Sequence, residues 1–214
     1  MKLTKHAHSC VELETDGVKI VFVPGEFEKK SEKISADANA VLITHEHFDH
    51  LNIEAVQSAL EKNPELKVFG PSAVVEKLGS HGSRVIVVEP GDSFSIGSVP
   101  VQVFGTGVHA PIHDSLPSVD NVAYLVANTV YHPGDSFDVP TVPVQTLLLP
   151  TSGPWMKLGE AADFVLAVKP QTVIAIHDLI SSEAGNSIAQ NYLGENGITG
   201  VKLTQLKAGK SIKL

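Results

Sequence analysis

Thr44-His45-Glu46-His47-Phe48-Asp49-His50 brings three imidazoles and the Asp49 carboxylate within six residues. These are the donors that zinc and other borderline divalent cations prefer. Alternation along an extended chain puts His45 and His47 on one side, so both can reach one cation. Asp49 and His50 fall where the chain turns into a helix and can face a second point. An isolated histidine is more often a satisfied surface or core residue than a ligand; the clustering sets this segment apart. Cys10 is the only cysteine, which excludes a disulfide framework and a cysteine-based zinc ribbon.

The cluster needs elements to hold it. Ala40–Thr44 is a short apolar run that reads as a buried strand leading into His45, and Asn52–Lys62 reads as an amphipathic helix behind it. Three further groups stand just past other strand-like runs. His109 follows Val99–Gly105, Asp135 follows Thr129–Tyr131 through a His-Pro-Gly turn, and His177 ends Thr172–Ile176. An ionisable group at the exit of a buried strand is costly unless it is paired or bound to metal, and sites in α/β proteins gather at carboxyl edges of strands. Around these runs lie strands at Val11–Glu14, Lys19–Val23, Lys67–Gly70, Arg84–Val88, Ser93–Ile96, Val122–Val126, Gln145–Leu149, Val201–Leu206 and Ser211–Leu214. Helices are expected at Ser72–Leu78, Lys157–Val168 and Ser182–Leu193. Strands running together early and alternating with helices later predict one domain, residues 1–214, of two antiparallel sheets packed face to face under outer helices.

With these residues in place the chain resembles the metallo-β-lactamase superfamily, whose pattern is HxHxDH followed by His, Asp and His. Its compact single-domain hydrolases near the ascorbate-6-phosphate lactonase-like branch are the nearest in pattern. The resemblance implies an α+β fold, a four-layer αββα sandwich of two mixed sheets flanked by helices. It implies two divalent metal ions, zinc by preference with manganese or iron also suited: one held by His45, His47 and His109, the other by Asp49, His50 and His177, with Asp135 bridging them. The activity it implies is a hydrolase whose metal-bridging hydroxide cleaves an ester-like bond, in a lactone, phosphodiester or related small molecule, with Asp49 orienting the hydroxide or accepting its proton. A non-hydrolytic metal-binding or regulatory member is the alternative. One departure stands out: Val23-Pro24-Gly25 has valine where the family often has aspartate, which predicts weaker metal retention.

Substrate contacts are expected from His8, which matches a His-Ser near the start of related chains, and from His113 and Trp155 on loops beside the cluster. Trp155, the only tryptophan, would form an apolar wall. His6, His81 and His132 read as surface or structural residues. The chain's 214 residues, 43% apolar and 19% charged, are ample for a core. Its net charge of −8 with no basic run argues against nucleic acid as a partner. Nothing approaches a membrane span or an apolar signal core, so a cytoplasmic protein acting on a small molecule is expected, with self-association open.

Overall fold

The computed structural model describes Met1–Leu214. The strands are β1 Lys2–Lys5, β2 Val11–Thr15, β3 Val18–Phe22, β4 Ala40–Leu42, β5 Lys67–Gly70, β6 Val85–Val87, β7 Ser93–Ile96, β8 Val99–Val108, β9 Asp120–Val126, β10 Val130–His132, β11 Thr146–Pro150, β12 Thr172–Ile176, β13 Leu203–Thr204 and β14 Lys210–Lys213. The helices are α1 Ser31–Ala36, α2 Ile53–Lys62, α3 Ser72–Leu78, α4 Leu158–Val168 and α5 Glu183–Leu193.

Two seven-stranded sheets form, in the orders β14-β1-β2-β3-β4-β5-β6 and β13-β12-β11-β10-β9-β8-β7. Each is half antiparallel and half parallel, the change falling between β3 and β4 in one and between β10 and β11 in the other. The sheets are therefore mixed, as the family resemblance implies, and not antiparallel throughout as the strand pattern alone suggests. Parallel neighbours need crossover helices, and those helices cover the outer faces. That explains why β4 (AVL) and β11 (TLLLP) are wholly buried and, Thr146 apart, apolar, whereas β2 (VELET) alternates.

Three apolar layers separate the four structural layers. The central one draws Leu3, Leu13, Ile20 and Phe22 from the first sheet against Val101, Tyr124, Leu148 and Ile174 from the second. A second layer seats α4 and α5 on the second sheet, and a third seats α1, α2 and α3 on the first. Helix α2 shows the logic locally. Asn52 caps it by accepting from the Ala55 N–H, and Val56, Ala59 and Leu60, spaced for one face, are buried.

Several boundaries differ from expectation. The ladder of β4 stops at Leu42, and Ile43–Thr44 continue extended into the histidine segment. Residues Gly82–Arg84 form a helical turn, so β6 starts at Val85. Strand β8 runs on to Val108 through a bulge between Phe104 and Gly107, which delivers His109 to the sheet edge. The expected Val201–Leu206 strand pairs only at Leu203–Thr204. Strand β1 and the six-residue α1 were not expected at all. No helix is long and apolar enough to cross a membrane.

Candidate metal centre

The strands place the chemistry at one edge of the sandwich. The segment after β4 brings His45, His47, Asp49 and His50 from the first sheet. The exits of β8, β10 and β12 bring His109, Asp135 and His177 from the second. Donor atoms of His45, His47 and His109 lie within 4.8 Å of one another, and so do those of His8, Asp49, His50 and His177, and those of His45, His50 and Asp135. Asp135 spans the groups. Its Oδ1 is 3.1 Å from His50 Nε2, and its Oδ2 is 3.1 Å from His177 Nε2 and 3.5 Å from His109 Nε2.

The chemistry of this donor set fits cations. The Nε2 atoms of His45, His50, His109 and His177 and the Oδ1 of Asp135 are buried and make no hydrogen bond. His45 Nε2 has no ion-pair contact either, and the other three Nε2 atoms meet only carboxylate oxygens, at 3.1–3.8 Å and without hydrogen-bond geometry. A buried polar atom left unsatisfied costs on the order of 1–3 kcal/mol. A divalent cation offers each of them a partner. The outer imidazole nitrogens are arranged to match: His109 Nδ1–H donates to the Ala110 carbonyl at 2.5 Å, and His45 Nδ1 is 3.0 Å from Thr44 Oγ1. Such contacts fix the tautomer that leaves Nε2 free to ligate.

Electrostatics point the same way. Burial alone would raise the Asp135 carboxyl, but His50 and His177 outweigh it and hold that carboxyl well below the usual carboxylate range. Asp49 is likewise lowered against burial, by His177 and His8. Burial pushes His45 well down, with His50 adding to the effect. His177 goes the other way: Asp135 and Asp49 overcome its burial and raise it to about 10. The two carboxylates call for positive charge at this spot.

The segment is anchored by contacts that make no direct use of side-chain chemistry. Gly25 lies so close to the histidine loop that a Cβ there would sit 1.9 Å from the Asp49 carbonyl oxygen. Glu26 N–H donates to Phe48 O at 2.8 Å, and Asn52 N–H donates to Pro24 O at 3.1 Å. Val23 takes a left-handed backbone (φ 41°), unusual for a β-branched residue, and its side chain joins the central apolar layer. The Val23-Pro24-Gly25 turn thus grips the loop through backbone and glycine contact, with no carboxylate from residue 23.

On the opposite side, Asn121 is fully buried. Its Nδ2 donates to Pro133 O at 3.0 Å, and its Oδ1 accepts from Asp135 N–H at 3.1 Å. His132 accepts from Gly134 N–H through Nδ1 and lies 3.3 Å from Ser9 O through Nε2. Together they shape the turn that presents Asp135. Lys5, also buried, donates to Asp178 Oδ1 at 3.0 Å and so pins the residue after His177 to β1. Asn121 and Lys5 escaped the sequence reading. The sole hint for Lys5 was the inward position in K-L-T-K, and an asparagine in a strand carries no signal by type.

The three expected substrate contacts separate. His8 is buried and donates from Nε2 to Asp49 Oδ2 at 3.1 Å, its ring 3.9 Å from that of His177. Burial lowers its pKa to about 4 even against Asp49, so the ring is neutral. Trp155 does line the cavity, and its Nε1–H also donates to Asp135 Oδ2 at 2.7 Å. His113 stands exposed on the 109–119 loop, its Nδ1 2.8 Å from Ser115 Oγ, in a neighbouring cavity bordered by His47 and His109.

Two substitutions follow. Trp155→Phe keeps a ring in place and removes one bond to Asp135; metal affinity measured against a chelator is expected to fall about tenfold, the lower end for an outer-shell partner. His8→Asn tolerates the left-handed backbone at this position (φ 58°) and removes the bond to Asp49. Its expected loss in the same titration is about 10–100-fold. Unchanged affinity in either variant would show that the contact does not position the carboxylate.

Among known proteins, a family model described as β-lactamase superfamily domain matches residues 2–177. Protein Rv0786c of Mycobacterium tuberculosis is 34% identical over 200 residues, covering 91% of this chain and 92% of its own. A UPF0173 metal-dependent hydrolase of Anoxybacillus flavithermus is 33% identical over 100 residues, 44% of this chain and 42% of its own. Among solved structures, Igni18, a metallo hydrolase of the archaeon Ignicoccus hospitalis, superimposes with a TM-score of 0.73 at 19% identity, over 99% of this chain and 97% of that one. The chain therefore belongs to the β-lactamase superfamily and has the metallo-β-lactamase-like fold of two mixed sheets flanked by helices.

Proposed function

We propose that this hydrolase works with two divalent cations, one at His45, His47 and His109 and one at Asp49, His50 and His177, with Asp135 serving both, and that it cleaves an ester-like bond in a small molecule. The observation that carries the reading is the convergence of buried Nε2 atoms from both sheets, none of them hydrogen-bonded, on the single carboxylate of Asp135. A pair of divalent cations so held supplies Lewis acidity and lowers the pKa of water towards neutrality.

The chain's own residues supply the rest. Asp135 offers one oxygen towards His50 and the other towards His177 and His109, which an amide would do poorly because its nitrogen has no lone pair to give. Asp49 borders the cavity and is partly open to it, with its Oδ2 held by His8 and His177. It is the group placed to orient an attacking water and to take its proton. Trp155, Pro154 and Phe27 wall the cavity and limit bulk water around the reacting bond.

The test is a panel of lactones, carboxylic esters, phosphodiesters and thioesters offered to protein loaded in turn with zinc, manganese and iron. Metal-dependent turnover of an ester-like member is expected. Protein with both positions filled that cleaves none of the panel would overturn the reading.

A further inference from the structure

The cavity over the cluster, about 280 Å³, has one wall of ligand residues and another of Phe27, Phe48, Ile112, Pro154, Trp155 and Ile180. No lysine or arginine lines it. We propose that the substrate is an uncharged ester or lactone whose non-reacting part is apolar and lies against Phe48, Ile112 and Ile180; this rests on the hydrolase reading above.

Exposure is the first argument. Phe48, Ile112 and Ile180 are 56%, 44% and 51% exposed, although all three border the cavity that holds Asp49 and Asp135. Large apolar side chains gathered at a site mark the part of a ligand they cover. Phe48 is held there by edge-on contact with Phe27, ring centroids 5.5 Å apart.

Charge is the second. A phosphate or carboxylate remote from the reacting bond would leave water here without a cationic partner, which is costly. Two of the lysines nearby are engaged elsewhere, and the third, Lys157, lines the adjoining groove together with Glu160 and Asp163, so that lining is net negative. Lys5 is buried against Asp178, Lys77 pairs with Glu46 at 2.9 Å, and Lys157 stands 3.8 Å from Glu160. The net charge of −8 further disfavours an anionic substrate.

Continuity is the third. A neighbouring groove of about 720 Å³ shares Ile112, Pro154 and Trp155 with the cavity and continues along Phe137, Met156 and Phe164, with Lys157, Glu160 and Asp163 as its charged lining. Ile112, Pro154 and Trp155 border both spaces, so the groove is the adjoining apolar surface on which a chain leaving the reacting bond would lie. In the hydrolysis, water oxygen bonds to the acyl carbon and the acyl C–O bond breaks. One water proton passes to the departing oxygen, and the other is released as the acid ionises.

Metal-loaded protein is offered nitrophenyl esters from acetyl to octanoyl, alkyl-substituted lactones, and lactones of equal size bearing a remote phosphate. The kcat/KM is expected to rise roughly two- to fourfold per added methylene until the groove is filled. A remote phosphate is expected to lower it at least tenfold. Ile112→Lys, on an exposed loop position, is expected to flatten the chain-length dependence and narrow the phosphate penalty. Preference for the phosphate-bearing lactone, with turnover otherwise intact, overturns this inference and leaves the hydrolase reading standing. If no substrate is cleaved, that reading falls. Binding of alkyl hydroxamates of two to ten carbons, followed by Trp155 fluorescence, then decides: affinity independent of length overturns the apolar subsite.

Discussion

Asp135→Asn is expected to abolish metal-dependent turnover and to weaken metal binding more than any other single substitution at the site. The side chain is buried, with Oδ1 3.1 Å from His50 Nε2 and Oδ2 3.1 Å from His177 Nε2. Removing one partner of a buried charged set costs about 3–5 kcal/mol. At 1.4 kcal/mol per decade, that is a drop in metal affinity of roughly 10²–10⁴-fold. The amide has nearly the same shape and keeps the oxygen that accepts from Trp155, so far-ultraviolet circular dichroism is expected to be unchanged. Chelator competition measures the affinity. A variant that binds metal as tightly as the parent would remove Asp135 from the centre of the account.

Gly25→Ala is expected to have the largest effect of any substitution that leaves every ligand in place. The new Cβ would lie 1.9 Å from the Asp49 carbonyl oxygen and 2.7 Å from His50 N, both backbone atoms of the ligand loop. No rotamer relieves a Cβ clash, so the loop or the Val23–Gly25 turn must move. We expect a loss of about 3 kcal/mol of stability, the upper range for overpacking. For a chain of this size that is a fall in Tm of roughly 6–12 °C. Metal affinity should drop with it, because Asp49 and His50 shift together. Gly159→Ala is the contrasting control. Nothing lies within 4 Å of its added Cβ near the start of α4, and alanine there is expected to be neutral or to stabilise by about 0.5–1 kcal/mol. Thermal melts of the two variants side by side check both outcomes; an unperturbed Gly25→Ala protein would mean that the close approach is not a constraint.

The residues that converge at the sheet edge were legible in the sequence because ligand chemistry is type-specific. Few reasons other than metal place His45, His47, Asp49 and His50 together, and the strand exits at His109, Asp135 and His177 could be read from apolar runs that end in a charge. The two-sheet architecture was legible for the same reason: β4, β11 and β12 are short, apolar and bounded. Strand direction was not legible from the apolar pattern, and only the family resemblance implied mixed sheets. Parallel and antiparallel partners of β4 present the same buried pattern, and the deciding feature is the crossover helix, of which α1 is only six residues and carries weak periodicity. The contacts of His8 and Trp155 with the two carboxylates were also out of reach. Both were read as facing substrate; Trp155 does line the cavity, but the ring nitrogens of both also reach Asp49 and Asp135, and nothing in one sequence says what a loop side chain's nitrogen will meet. Lys5 reads as a surface residue by type and is buried against Asp178 through a partner 173 positions away.

The most direct test of two cations caged by side chains from both sheets is metal content. Protein freed of metal by chelation, re-equilibrated by dialysis against zinc or manganese, and analysed by mass spectrometry should hold two ions per chain. Asp135→Asn should lower the occupancy of both positions together, because one carboxylate serves the pair. A plateau at one ion per chain, or two ions retained undiminished without Asp135, would contradict it.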